Sequence, residues 1–286
     1  MTSSAPTDLH PRLERPHRGR WLQVFRPFDF EWNVVTLPVP SLPPALDGFR
    51  IVHLTDLHLR RRWHGAYDRL MDRLVAADAD LLLFTGDFVD DKRDHTSALP
   101  NVYKMVPALR GRHGAYAVLG NHDTNRFAPR YDPTHVRLLN GVRARVPVGD
   151  ATVELIGMPG AFRKDLPPDW AASIGPPADD RDGAGPRRSI RVVLSHYPDH
   201  FARVGSVLKP DLFLAGHTHG GQVCLPGGFP IIKHDSLPRR HSNGVSRIGD
   251  CWMVVGRGFG STTLPFRLFC PPEVIEIRLL SVPAAG

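Results

Sequence analysis

"DLFLAGHTHGG", Asp211 to Gly221, runs an apolar stretch straight into two histidines one residue apart. Four or five apolar residues are too few for a helix and suit a buried strand. The same sequence of events occurs four more times. "FRIVHLTDLH" (Phe49–His58), "DLLLFTGDFVD" (Asp80–Asp90), "AYAVLGNHD" (Ala115–Asp123) and "IRVVLSH" (Ile190–His196) each end an apolar run in a polar cluster. Ligands of α/β sheets gather beyond the carboxyl ends of strands. Asp56, His58, Asp87, Asn121, His122, His196, His217 and His219 are therefore expected at one rim.

Between these runs the periodicity changes. Tyr67, Leu70, Met71, Leu74 and Val75 fall at helical spacing and predict a helix over 66–77, with others near 97–109 and 200–208. "VPVGDATVELIG" predicts a hairpin about Gly149-Asp150, while "CWMVVG" and "EVIEIRLL" predict late strands. A further strand is expected around residues 30–37. Interleaved strands and helices indicate an α/β protein with some antiparallel pairing. Residues 1–20 read as a disordered leader, 21–286 as a single domain, and the Pro/Gly-rich stretch 162–189 as a surface loop.

The chain has 286 residues with 28 prolines, 26 glycines and 15 histidines. Its net charge of +7 favours anionic partners, but no basic run is long enough for a nucleic-acid arm, the densest being Arg60-Arg61-Arg62. Cys224, Cys251 and Cys270 are too far apart for a C-x-x-C pair and read as buried thiols. No secretory signal and no run of ~18 apolar residues is visible, which predicts a cytoplasmic location.

The two carboxylates, one amide and four imidazoles of Asp56, His58, Asp87, Asn121, His196, His217 and His219 form a sulfur-free N/O set. It suits Mn, Fe, Co or Zn and exceeds what one ion with an open position can use. The series "DLH … GDFVD … GNHD … SH … GHTH" resembles the calcineurin-like metallophosphoesterase superfamily. "LPPALDGFRIVHLTDLHL", "LSHYPDHF", "AGHTHGGQVCLP" and "VVGRGFGSTTLPFRLFCPPEVIEI" are similar to a bacterial branch that includes UDP-2,3-diacylglucosamine hydrolase-like enzymes and cell-envelope phosphodiesterases.

The resemblance implies a four-layer αββα fold, two mixed β-sheets packed as a sandwich and flanked by helices. It implies two divalent ions, manganese first with iron, zinc or cobalt as alternatives. Asp56, His58, Asp87 and His219 would hold one ion, and Asp87, Asn121, His196 and His217 the other, with Asp87 bridging through its two oxygens. A hydroxide between the ions would attack phosphorus. His122 would stabilise the transition state or protonate the leaving group, Asp123 would orient it, and Asp90 would support the ligands from behind.

The implied activity is that of a phosphodiesterase or pyrophosphatase on a phosphorylated small molecule or a lipid- or nucleotide-linked substrate. A nuclease or cyclic-nucleotide phosphodiesterase on the same centre is the enzyme alternative, and polymeric nucleic acid fits poorly. A metal-stabilised scaffold binding phosphate or membrane without turnover is the non-enzyme alternative. No obligate protein partner is implied. Arg60 and Arg61 would grip a second phosphate or form a solvated basic loop, and Arg257 and Arg267 would contact substrate or pair with carboxylates. "FGSTTLPFRLF" and the aromatic segment 21–32 would seat an acyl chain, touch the inner face of a membrane, or fill the core.

Overall fold

The computed structural model describes residues 10–24, 29–123, 135–159, 165–175, 188–232, 235–263 and 266–283. Strands are labelled in chain order. The first sheet has seven, in the spatial order β1 (Arg12–His17), β3 (Glu31–Pro40), β17 (Glu273–Val282), β4 (Arg50–Leu54), β5 (Leu81–Phe84), β6 (Ala115–Ala117), β7 (Arg137–Leu138). The second has six: β14 (Gly244–Ile248), β15 (Cys251–Val255), β11 (Leu212–Ala215), β10 (Ser189–Leu194), β9 (Ala151–Gly157), β8 (Arg143–Val148). Two small ribbons pair β2 (Leu22–Val24) with β16 (Phe266–Leu268), and β12 (Cys224–Leu225) with β13 (Phe229–Pro230).

Both sheets are mixed. Strands β4 to β7 run parallel, as do β9, β10, β11 and β15, while β17 against β4 and the β8–β9 hairpin are antiparallel. The hairpin turns at Gly149-Asp150, as its sequence predicts.

Side chains alternate faces along a strand, and here both faces are buried, which explains the unbroken apolar runs. Leu81 and Leu83 point into the core between the sheets together with Val192, Leu194, Leu212 and Leu214. Leu82 and Phe84 face outward onto α1 (Gly65–Ala77) and α2 (Leu99–Met105) through Leu70, Leu74, Val102 and Met105. On the other side Val193 and Phe213 meet α3 (Trp170–Ile174) and α4 (Phe201–Leu208) through Trp170, Ile174, Val204 and Leu208. The result is the expected order of helix, sheet, sheet, helix.

Two expectations need correction. Residues 10–20 are not a structureless leader: Arg12–His17 is an edge strand on β3, with a register shift between Glu14 and His17. The open edge of β3 supplies the partner, and an edge strand with an irregular register tolerates the missing N–H of Pro16. The 162–189 stretch is not all loop, because Trp170 and Ile174 are buried on a short helix and Ser189 begins β10. Within that stretch residues 162–164 and 176–187 lie outside the described residues, as do 1–9 of the leader. All three cysteines are free and buried. Among the described residues no helix is long and apolar enough to cross a membrane.

Candidate metal centre

Five strands deliver their polar clusters to one end of the sandwich. From the first sheet, β4 leads to Asp56 and His58, β5 to Asp87, and β6 to Asn121 and His122. From the second, β10 leads to His196 and β11 to His217 and His219. The chain must turn sharply there, and Asp56, His58, Asp87, His217 and His219 all take positive φ values of 44–68°. Non-glycine residues in that region are strained by about 1–2 kcal/mol each, and such strain collects at functional sites. Two glycines allow the crowding: a Cβ on Gly120 would collide with Asp87 Oδ1, and one on Gly216 with Thr55 Oγ1 and Asp56 Oδ2.

The side chains form two groups. In one, His58 Nε2 lies 3.0 Å from His219 Nε2, and His219 Nε2 lies 3.3 Å from Asp56 Oδ1. In the other, Asn121 Oδ1 is 3.0 Å from both His196 Nε2 and His217 Nδ1, which are 3.2 Å apart. Asp87 Oδ2 stands between the groups, 3.5 Å from His58 Nε2 and 3.4 Å from His196 Nε2. A single oxygen of Asp87 therefore faces both groups, whereas the sequence reading gave one oxygen to each. Oδ1 is engaged instead by the backbone N–H of His122 at 2.8 Å.

This arrangement fits cations. His196 Nδ1 faces the carbonyl of Thr85 at 2.9 Å, which can only accept, so in the neutral ring Nε2 carries the lone pair. That lone pair meets the acceptors Asn121 Oδ1 and Asp87 Oδ2. Asp56 Oδ1 is buried without a hydrogen-bond partner, although its carboxylate partner Oδ2 accepts from Thr55 Oγ1 at 2.7 Å. Acceptors converging in a buried site carry a desolvation cost of several kcal/mol unless positive charge joins them. Divalent first-row ions with bonds of about 2.0–2.2 Å set neighbouring ligand atoms about 3.0–3.5 Å apart, the spacing seen here.

Burial competes with neighbouring charges in the titration of these groups. It pulls His219 down to about 4. It works the same way on His58, but the contacts with Asp56 and Asp90 and the charge of Asp87 outweigh it and raise that ring to about 9. Asp56 stays well below the usual carboxylate range because His219, His58 and His196 together overcome its desolvation.

The supporting residues depart from expectation. Asp123 does not orient His122. Its carboxylate is fully buried and accepts the backbone N–H groups of Asp87 (2.7 Å), Phe88 (2.8 Å), Val89 (3.2 Å) and Gly120 (3.0 Å). It clamps two ligand loops together. His122 is oriented by the Asp90 carbonyl, which accepts from Nδ1 and leaves Nε2 for the site. Asp90 also places Oδ1 3.3 Å from His58 Nδ1, the carboxylate-behind-histidine pattern that aligns ligands.

The four arginines divide unevenly. Arg60 pairs with Asp90 at 3.0 Å and stays partly exposed, and Arg61 is exposed. Arg257 is occupied by Glu31 and Glu273, and Arg267 is buried. Two buried carboxylates hold the first. The NH2 group of the second donates to the carbonyls of Arg257 and Gly260, and it lies 3.1 Å from His219 Nδ1. Arg267 thus fixes the place of the His219 ring from behind, a role with no local signal in the sequence because the two are 48 residues apart. Leu264 and Pro265 of the apolar segment lie outside the described residues, while Phe259 is core.

A family model for calcineurin-like phosphoesterases matches residues 49–221. The metallophosphoesterase YkuE of Bacillus subtilis (strain 168) is 26% identical over 277 residues, covering 91% of this chain and 89% of its own. Phosphodiesterase YaeI of Escherichia coli (strain K12) is 28% identical over 253 residues, covering 81% and 82%. A dimetal phosphatase structure from Danio rerio aligns with 13% identity and a TM-score of 0.40 over 74% of this chain and 88% of that one. The matched segment spans more than half of the sequence and contains all five strand-end clusters, and the chain belongs to the calcineurin-like phosphoesterase family of phosphoric ester hydrolases.

Proposed function

We propose that the protein is a dinuclear metal-dependent phosphodiesterase or pyrophosphatase acting on a lipid- or nucleotide-linked substrate. The observation that carries this reading is Asp87 Oδ2, held 3.4–3.5 Å from one histidine of each group. Asp56, His58, Asp87 and His219 would hold one ion, and Asp87, Asn121, His196 and His217 the other. Two divalent ions there would supply hydroxide at neutral pH and positive charge for the phosphoryl oxygens. The similarity to a relative named a phosphodiesterase, YaeI, supports the diester preference.

The chain's own residues supply the rest. The Asp123 clamp keeps the Asp87 and Asn121 loops in register, and Arg267 and Asp90 fix the rings of His219 and His58. His122, half-buried and anchored through Nδ1, presents Nε2 to an oxygen of the ester. His122→Ala is expected to retain metal and to lose turnover by about 100- to 10,000-fold, the usual range for a positioned proton donor or acceptor. Full-rate hydrolysis by that variant would remove the assigned role.

The direct test uses metal-stripped protein with bis-p-nitrophenyl phosphate, p-nitrophenyl phosphate and UDP-diacylglucosamine, each with Mn, Zn, Fe(II), Co, Mg or no metal. Cleavage of diesters that requires added metal and exceeds monoester cleavage is the expected result. Fast cleavage of UDP-diacylglucosamine would identify the substrate class. No cleavage with any metal would overturn the proposal and favour a phosphate-binding scaffold.

A further inference from the structure

Beyond Gln222 the chain leaves the metal centre as the β12–β13 hairpin, turning at Pro226-Gly227-Gly228. Four large apolar side chains on and just after it stand in solvent: Leu225, Phe229, Ile231 and Ile232 are each 51–54% exposed. Backbone pairing extends this surface sideways. Ile231 N–H donates to the Val223 carbonyl at 3.1 Å, Val223 bridges Leu268, and Leu268 stands opposite Leu22. Leu22 and its neighbour Trp21 are 42% and 59% exposed. A cavity of about 670 Å³ brings Leu13, Trp21 and the hairpin glycines Gly227 and Gly228 around one mouth.

Among the described residues, seven of the twelve exposed large apolar side chains belong to these neighbouring segments. Scattered exposed apolar residues are ordinary, but a contiguous group marks an interaction surface. The exposed charge around it is predominantly positive, and the two carboxylates that line the cavity, Glu31 and Glu273, are paired with Arg257. Arg15 and Arg18 line the cavity, Arg20, Arg239 and Arg240 are exposed nearby, and the Arg239 guanidinium lies 5.1 Å from the centre of the Phe229 ring. In residues 10–24 and 222–243 the acids are Glu14 and the buried Asp235.

Exposed Trp, Phe, Leu and Ile ringed by arginine match the chemistry of an anionic lipid surface, apolar groups entering the acyl boundary and guanidinium groups meeting phosphates. We propose that this face docks the protein onto anionic membrane lipid. Gln222 Nε2 donates to the carbonyl of Thr262 at 3.0 Å, and Gln222 lies three residues past His219. The docked face therefore adjoins the rim of the metal centre. A lipid-linked substrate would reach that rim without leaving the bilayer; this last step rests on the proposed phosphodiesterase reading, and docking itself does not.

The test is flotation of the full chain with vesicles of phosphatidylcholine alone and of phosphatidylcholine with phosphatidylglycerol at 7:3. Thermal unfolding serves as the check on folding, so the result is independent of catalysis. The native protein is expected to float with the anionic vesicles at least ten times more than with neutral ones, and less at high salt. Phe229→Ser/Ile231→Ser should abolish flotation, and Arg18→Gln/Arg20→Gln should weaken it about 25-fold, at roughly fivefold per basic residue. Both variants should melt like the native chain. No flotation of the native protein, equal flotation with neutral vesicles, or native-like flotation of both variants overturns the proposal. A dimer that the Phe229→Ser/Ile231→Ser change dissolves, without vesicle binding, would assign the face to a second copy instead.

Discussion

Asp87→Asn is expected to lose bound metal and diester hydrolysis together, with activity falling by at least about 1,000-fold, equivalent to roughly 4 kcal/mol of transition-state stabilisation. The substitution preserves volume and shape, so the fold should persist. Neither orientation of the new amide satisfies the site. With its nitrogen at the Oδ2 position it turns two hydrogens toward the place of the shared cation, and an amide nitrogen has no free lone pair to offer a metal. Flipped, it sets that nitrogen against the His122 N–H, donor against donor. Metal analysis of the purified variant beside its rate on bis-p-nitrophenyl phosphate checks this. A variant with the native metal content and more than a tenth of the native rate would show that Asp87 does not join the two ions.

Asp123→Ala should produce the opposite signature, a large loss of stability whether or not metal is bound. Four backbone N–H groups converge on a carboxylate that solvent does not reach. A buried donor left without an acceptor costs about 1–3 kcal/mol, so even with water entering the vacated space the loss should be about 4 kcal/mol or more. For a chain of this size that corresponds to a fall in Tm of roughly 10 °C. Urea unfolding of metal-stripped protein measures it. Asp123→Asn, which keeps one acceptor oxygen, should lose about half as much. A loss below 1 kcal/mol for the alanine variant would mean the four groups find other partners and that Asp123 does not hold the loops.

The contrast between these two aspartates shows what a sequence can disclose. Asp87, His196, His217 and His219 are legible because each follows an apolar run within a few residues, and a strand end fixes where a nearby side chain can go. The layered fold is legible for the same reason, since strands such as Leu81–Phe84 bury both faces and carry no polar interruption. The work of Asp123 is not legible. It sits beside His122 in the chain, yet three of its four partners are backbone groups some 35 residues away, and backbone groups leave no mark in a sequence. Arg267 shares that difficulty: an exposed substrate contact and a buried prop look alike until the carbonyls of Arg257 and Gly260 are placed around it. The edge strand Arg12–His17 was obscured by its proline and charges, which an outer strand tolerates and an inner one would not.

The ligand atoms come from two separate sheets, and this gives the apolar interior a second role. Leu83, Leu194 and Leu214 lie in the layer between the sheets, just before the segments that carry Asp87, His196 and His217. That layer sets the gap across which Asp87 faces His196. Thinning it, as a leucine-to-alanine change would, lets one sheet settle against the other and shifts the jaws of the centre by a fraction of an ångström. Metal affinity then becomes a gauge of sheet spacing. Substitutions with no contact to any ligand can make the enzyme hungry for metal while leaving every catalytic residue in place.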